Sequence, residues 1–208
     1  MTHDGLLEDR MAKKSGRNTK QKIVSAAWKL FYEQGYDDTT VDDIVFESGT
    51  SKGSFYHYFD SKDALLGSLN ILFDEKYEEL MKVIDPDMEA VDKLIYFNHE
   101  LFEMIDSSVS IELITRMFSS QLITHGEKHL LDRKRTYFKL IKQIVKQGQD
   151  RGEVRDDITV NQIVNDYAMF ERALLYDWCL EDGEYSLVRN ADRLMPMFLE
   201  GYRSSEKK

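Results

Sequence analysis

Ser51-Lys52-Gly53-Ser54-Phe55-Tyr56-His57-Tyr58-Phe59-Asp60-Ser61-Lys62 places two lysines, four small or hydroxyl residues and four aromatic rings in twelve positions. Phe55 and Phe59 are four apart, so on a helix they share one face and bury together, and Tyr56 and His57 point elsewhere. Ser51 suits an N-cap, and Gly53 lets another backbone approach closely. Hydroxyls, a lysine and free N–H groups at a helix start are the donors that phosphate contact requires. The spacing therefore predicts a short helix that sits on DNA.

The residues upstream fit that reading. Asn18 and Thr19 open a helix whose apolar positions Ile23, Ala26, Ala27, Leu30 and Phe31 follow the amphipathic repeat. Gly35 ends it where a left-handed residue is needed. Thr40 caps a second, short helix, with Asp43 three residues on as an approximate capping box and Val41, Ile44 and Val45 turned inward. Ser48-Gly49-Thr50 is a tight turn before the helix that begins at Ser51. Helix, short helix, turn, helix is the helix-turn-helix order.

From about Thr19 to Leu66 the sequence resembles the TetR family of bacterial transcriptional regulators. The resemblance rests on Leu30-Phe31-Tyr32-Glu33-Gln34-Gly35-Tyr36, Thr39-Thr40-Val41-Asp42-Asp43-Ile44, Ser51-Lys52-Gly53-Ser54-Phe55-Tyr56, Tyr58-Phe59 and Ser61-Lys62-Asp63-Ala64-Leu65-Leu66. Three positions depart from it: Val45 and Ser48 stand where the family usually has alanine, and Thr50 where it usually has valine. The resemblance implies an all-α protein with an N-terminal three-helix DNA-binding domain and a larger C-terminal helical domain for ligand binding and dimerisation. The expected division is a flexible basic arm over 1–17, a DNA-binding domain over 18–66 and the helical domain over 67–208. The arm's Lys13, Lys14 and Arg17 suit the minor groove or a solvated tail.

Composition bounds the function. The 208 residues carry a formal net charge of −10, which by itself argues against nucleic acid. Its distribution does not: residues 10–62 hold nine Lys/Arg against seven Asp/Glu, and residues 63–208 hold nineteen against twenty-eight. Phosphate contact depends on local charge. No apolar run approaches the ~20 residues of a membrane span. The polar N-terminus lacks a secretory apolar core. The single Cys179 excludes an internal disulfide and fits a reducing cytoplasm.

Downstream the pattern reads as helices over about 62–84, 88–106, 109–123, 127–149, 159–181 and 186–203. The first is expected to act as a lever joining the two domains. The last two are apolar on more than one side, and the resemblance makes them a four-helix dimer interface. A dimer would set two reading helices about 34–36 Å apart, matching a palindromic operator in double-stranded DNA.

Carried over from the family pattern, the DNA-contact candidates are Thr40, Ser51, Lys52, Gly53, Ser54, Tyr56, His57, Tyr58 and Lys62. Lys62 gains nothing from the dipole at a helix start, which favours a phosphate-ligand reading. The resemblance also implies a small-molecule effector in the larger domain. Candidate lining residues are Phe97, His99, Phe102, Met117, Phe118, Phe138, Tyr167, Phe170 and Trp178, since aromatic rings and Met suit an adaptable apolar site. No cofactor or metal is implied. His125 and His129 are four apart with Asp132 nearby, but Glu127 stands one place away from the zinc-hydrolase arrangement. No catalytic motif appears, and Cys179 lacks an evident base. The reading is a homodimeric regulator, most simply a repressor released by an apolar or amphipathic molecule. The alternatives are an activator or co-repressed regulator, and a helical module that uses the aromatic segment for protein contacts.

Overall fold

The computed structural model describes residues 3–123 and 128–204, with side chains from Asn18 onward. All regular structure among the described residues is helical, apart from one antiparallel bridge between Val154 and Arg203. The chain divides into two compact units, Met1–Leu72 and Phe73–Lys208, where the sequence reading placed the division at 66/67.

The first unit holds α1 (His3–Gln34), α2 (Val41–Ser48) and α3 (Lys52–Tyr58). α1 reaches back through the segment expected to be a flexible arm, where Leu, Glu, Arg, Met, Ala and Lys all favour helix. Its buried face is Ile23, Val24, Ala26, Ala27, Trp28 and Phe31. Gly35, at φ +89°, donates its N–H to the Phe31 carbonyl and turns the chain, a conformation open to glycine. α2 carries a complete capping box, with Thr40 Oγ1 accepting the Asp43 N–H at 3.2 Å and the Asp43 carboxylate accepting the Thr40 N–H at 2.9 Å. Ile44 is buried, while Val41 and Val45 are only half-buried. A Lys29–Glu47 ion pair at 2.6 Å ties α1 to α2.

The segment 62–84 is not one continuous helix. Asp63–Ser68 is a 3-10 helix, and α4 (Leu69–Val83) follows it. The cause is local: Ser68 Oγ donates to the Leu65 carbonyl at 2.6 Å, and the Leu65 N–H bonds the Lys62 carbonyl at i to i+3 spacing. Leu65, Leu66 and Leu69 are buried, as their apolar character requires.

The second unit contains α5 (Ala90–Ser108), α6 (Ile111–Ile123), α7 (Thr136–Arg151), α8 (Val160–Leu180) and α9 (Leu187–Glu200). α7 starts nine residues later than expected. Asp132 accepts the Lys134 N–H at 2.9 Å, which makes a turn there in place of helix. The new start is capped from α4, because Asp74 accepts the Tyr137 N–H at 3.3 Å. α5 packs on α7 and α9, and α8 on α6, α7 and α9. α7 lies so close to α5 that a Cβ on Gly148 would fall 2.5 Å from Ala90 Cβ.

α8 buries Ile163, Val164, Tyr167, Ala168, Glu171, Leu174, Leu175 and Trp178 within the unit. Phe170 is half-buried and stacks on Phe198 of α9 at 4.2 Å. A third stripe remains open, with Met169 59% and Leu180 63% exposed on either side of Ala173 and Tyr176. No helix among the described residues is long and apolar enough to cross a membrane.

Candidate nucleic-acid interface and ligand cleft

α3 owes its orientation to two rings. Phe55 and Phe59 are buried with centroids 5.9 Å apart, and Ser51 caps the helix by accepting the Ser54 N–H at 3.0 Å. The opposite face is thereby set outward. Ser51, Lys52, Gly53, Tyr56 and His57 are all exposed, and Thr40 lies exposed at the start of α2. Tyr56 is 50% exposed, its ring braced edge-on against Phe55 at 5.3 Å. Ser54 and Tyr58 are half-buried, with Ser54 Oγ 2.9 Å from Ser51 Oγ and the Tyr58 ring against His57. A Cβ on Gly53 would touch nothing closer than Ser51 Oγ at 3.8 Å, so the space in front of it is open.

Two lysines of the candidate set already have partners. Lys52 Nζ pairs with Asp42 at 2.8 Å, and that carboxylate raises the lysine pKa. Both groups are well exposed, so the pair is weak and exchangeable. Lys62 is different. Its ammonium donates to the carbonyls of Tyr36 at 2.6 Å and Thr39 at 2.9 Å, reaches Asp37 at 3.4 Å, and sits 4.3 Å from the Tyr36 ring centroid. Those carbonyls end the turn after α1, and the Tyr36 hydroxyl donates back to Asp63. Lys62 is thus a tether within the unit, its donors spent on backbone, where the sequence reading made it a phosphate ligand. Ser48 and Thr50, two of the departures from the family pattern, face each other with hydroxyls 2.7 Å apart.

The second unit contains a small cleft, with a cavity volume of about 50 Å³, that opens to solvent. Phe73, Leu101, Met117, Phe118, Leu130 and Leu175 form its apolar wall. Its polar groups are Tyr77, Tyr137, Arg135, Glu171 and Arg172. Glu171 is buried, and its Oε1 accepts from Tyr77 Oη and Asn98 Nδ2, each at 3.1 Å, while Oε2 accepts from Tyr137 Oη at 2.6 Å. Burial pushes the Glu171 carboxyl above its ordinary value, against the pull of these hydrogen bonds. Burial likewise holds the Tyr77, Tyr137 and Tyr167 hydroxyls well above theirs, with Glu171 beside them adding to the shift.

Of the nine residues proposed from sequence, only Met117 and Phe118 line this cleft. Phe97 and Tyr167 are buried in the core, where the Phe97 ring contacts Tyr77 and Tyr167 donates to the Leu94 carbonyl. Phe102 is core. Phe138 lies under the Arg133 guanidinium, Phe170 stacks on α9, and Trp178 donates to the Tyr185 carbonyl. His99 Nδ1 bonds Asp192 at 2.8 Å. The charged lining was missed because Arg135, Glu171 and Arg172 read as solvated positions; the i, i+4 partnership of Glu171 with Tyr167 and Leu175 was the available signal.

His125 and Glu127 lie outside the described residues, and His129 is exposed in a 3-10 turn (His129–Leu131). His99, Glu100 and Glu103 do bring ligand atoms within 4.8 Å of one another, but His99 is engaged by Asp192 and Glu100 by Lys76. Burial raises the Cys179 thiol pKa, which disfavours the thiolate a nucleophile needs.

Residues 23–69 match the family model of bacterial regulatory proteins of the tetR family, and residues 69–201 match the C-terminal region of YsiA-like proteins. The chain is 22% identical over 195 residues to the fatty acid metabolism regulator protein of Bacillus subtilis (strain 168), covering 90% of this chain and 97% of that one. A 46-residue stretch is 54% identical to an HTH-type transcriptional regulator in the lacX 3′ region of Lactococcus lactis subsp. lactis, but spans only 24% of that protein. The fold is similar to that of Thermus thermophilus FadR, a transcriptional repressor solved in complex with lauroyl-CoA, with a TM-score of 0.64 at 22% identity over 90% of this chain and 96% of that one. With one model covering the helix-turn-helix and the other the whole helical unit behind it, the chain belongs to the TetR family of bacterial regulatory proteins.

Proposed function

We propose that this protein is a homodimeric transcriptional repressor that reads a palindromic operator through α3 and the start of α2, and leaves it when an amphipathic, acyl-type molecule fills the cleft of the second unit. The outward face of α3, fixed by the buried Phe55 and Phe59, carries the reading. Ser51, Lys52, Gly53, Ser54, Tyr56 and His57, with Thr40, form the proposed contact set, and Tyr58 buttresses His57. Lys62 is left out of it.

The exposed stripe of Met169, Ala173, Tyr176 and Leu180 on α8, with Met197 on α9, supports a second copy as partner, since a lone chain would leave these side chains in water. The lauroyl-CoA held by the Thermus thermophilus repressor supports an acyl effector. Release requires that the effector bind the DNA-incompetent state more tightly than the competent one. The test is selection from a pool of random duplexes, followed by titration of the bound complex with dodecanoyl-CoA at fixed salt. An enriched palindrome that dodecanoyl-CoA displaces supports the proposal. No enrichment from a folded dimer overturns the DNA reading, and an operator complex indifferent to the acyl compound overturns the effector.

The Asp42–Lys52 pair makes a direct prediction. Asp42→Asn removes a negative charge from the reading face and frees Lys52, so operator affinity is expected to rise about tenfold at low salt. The gain should shrink as salt screens the charge, which fluorescence anisotropy across a salt series will show.

A further inference from the structure

The charged groups around the cleft are unequally provided for. Arg135 Nη2 donates to Asp74 at 2.8 Å, and Asp74 also takes the Tyr137 N–H. Both oxygens of Glu171 are occupied by Tyr77, Asn98 and Tyr137. Arg172 follows Glu171 in the chain and lines the same cleft, yet among the described residues its guanidinium makes no hydrogen bond or ion pair. The side chain is half-buried, and its charge is disfavoured first by burial and then by the neighbouring Arg133 and Arg135, with Tyr137 and Glu171 acting in the opposite direction.

A guanidinium partly withdrawn from water, with no protein acceptor of its own, favours an anion that replaces the water it still meets. Its planar fork matches the two oxygens of a carboxylate or phosphate. Phe73, Leu101, Met117, Phe118 and Leu175 line the same space and accept only an apolar body. We infer that Arg172 recognises the effector's headgroup, and that the effector is an amphiphile whose apolar chain lies along this wall and whose anionic end pairs with Arg172. The inference rests on the reading of the cleft as the effector site.

The test is calorimetric titration of the purified protein with sodium dodecanoate, dodecyl phosphate and dodecan-1-ol. Both anions are expected to bind at least about tenfold more tightly than the alcohol, and the stronger of the two identifies the source as carboxylate or phosphate. Arg172→Gln is expected to weaken the anions about 10- to 100-fold and leave the alcohol unchanged. The ligand-free variant should melt no lower than the parent, because an uncompensated charge has been removed, so lost binding will not be confused with lost folding. If the alcohol matches the anions in the parent, or the variant binds the anions undiminished, the Arg172 assignment falls and the cleft reading stands. If none of the three binds, both fall.

Discussion

Glu171→Ala is expected to lower the unfolding free energy of the second unit by about 3–5 kcal/mol, the largest stability effect of any single change discussed for this chain. The reason is what it leaves behind. Tyr77 Oη, Tyr137 Oη and Asn98 Nδ2 all point at one carboxylate, and each would become a buried donor without an acceptor beside a new cavity. Glu171→Gln keeps the shape and one acceptor oxygen, so its cost should be nearer about 1 kcal/mol. The two variants differ in pH behaviour as well. The folded-state pKa of Glu171 is raised, so the stability it contributes is fully present below its unfolded value and declines as pH rises through the folded value. Glu171→Gln abolishes that slope. Urea unfolding can be read from one unit at a time, because Trp28 lies in the first unit and Trp178 in the second. A Trp28→Phe background therefore reports the second unit alone. A loss below about 1 kcal/mol for Glu171→Ala would show that the carboxylate is dispensable to its three donors.

Tyr56→Ala is expected to reduce operator affinity about 30- to 1,000-fold without changing stability or dimerisation. Tyr56 is half exposed and touches only the edge of Phe55, so its removal leaves the fold nearly as it was. A DNA contact worth about 1–2 kcal/mol is lost twice, once per protomer, which gives the expected range. Lys52→Ala offers the contrast. It should weaken binding to all sequences alike and flatten the dependence of log affinity on log salt by about 0.9 per protomer, the signature of a lost phosphate contact. If Tyr56→Ala binds the selected operator as tightly as the parent, α3 is not the reading helix.

The helix-turn-helix was legible because its signals are short-range. Thr40 and Asp43, Gly35, Ser51, and the Phe55/Phe59 pair each act within four residues, and each stands in the structure where its chemistry places it. Lys62 was harder to read for the opposite reason. Its carbonyl partners lie more than twenty residues away, and nothing around it in sequence announces them. The start of α7 was misplaced because the Asp132 turn and the Asp74 cap override a region whose apolar residues continue the helical repeat. The cleft was hardest to see. Aromatic residues mark core and pocket alike, and the groups that distinguish this pocket are charged residues that sequence assigns to the surface by default.

The hydroxyl pair in the turn between α2 and α3 bears on how the sequence can change. Ser48 has another partner, donating to the Val45 carbonyl at 3.2 Å, whereas Ser48 is the sole hydrogen-bond partner of the Thr50 hydroxyl among the described residues. Replacing Thr50 by valine first leaves Ser48 bonded to Val45; replacing Ser48 by alanine first strands the half-buried Thr50 hydroxyl. A lineage moving between this polar turn and the alanine–valine form common in the family therefore meets an uneven landscape, in which one order of mutation is nearly neutral and the other passes through a disfavoured intermediate.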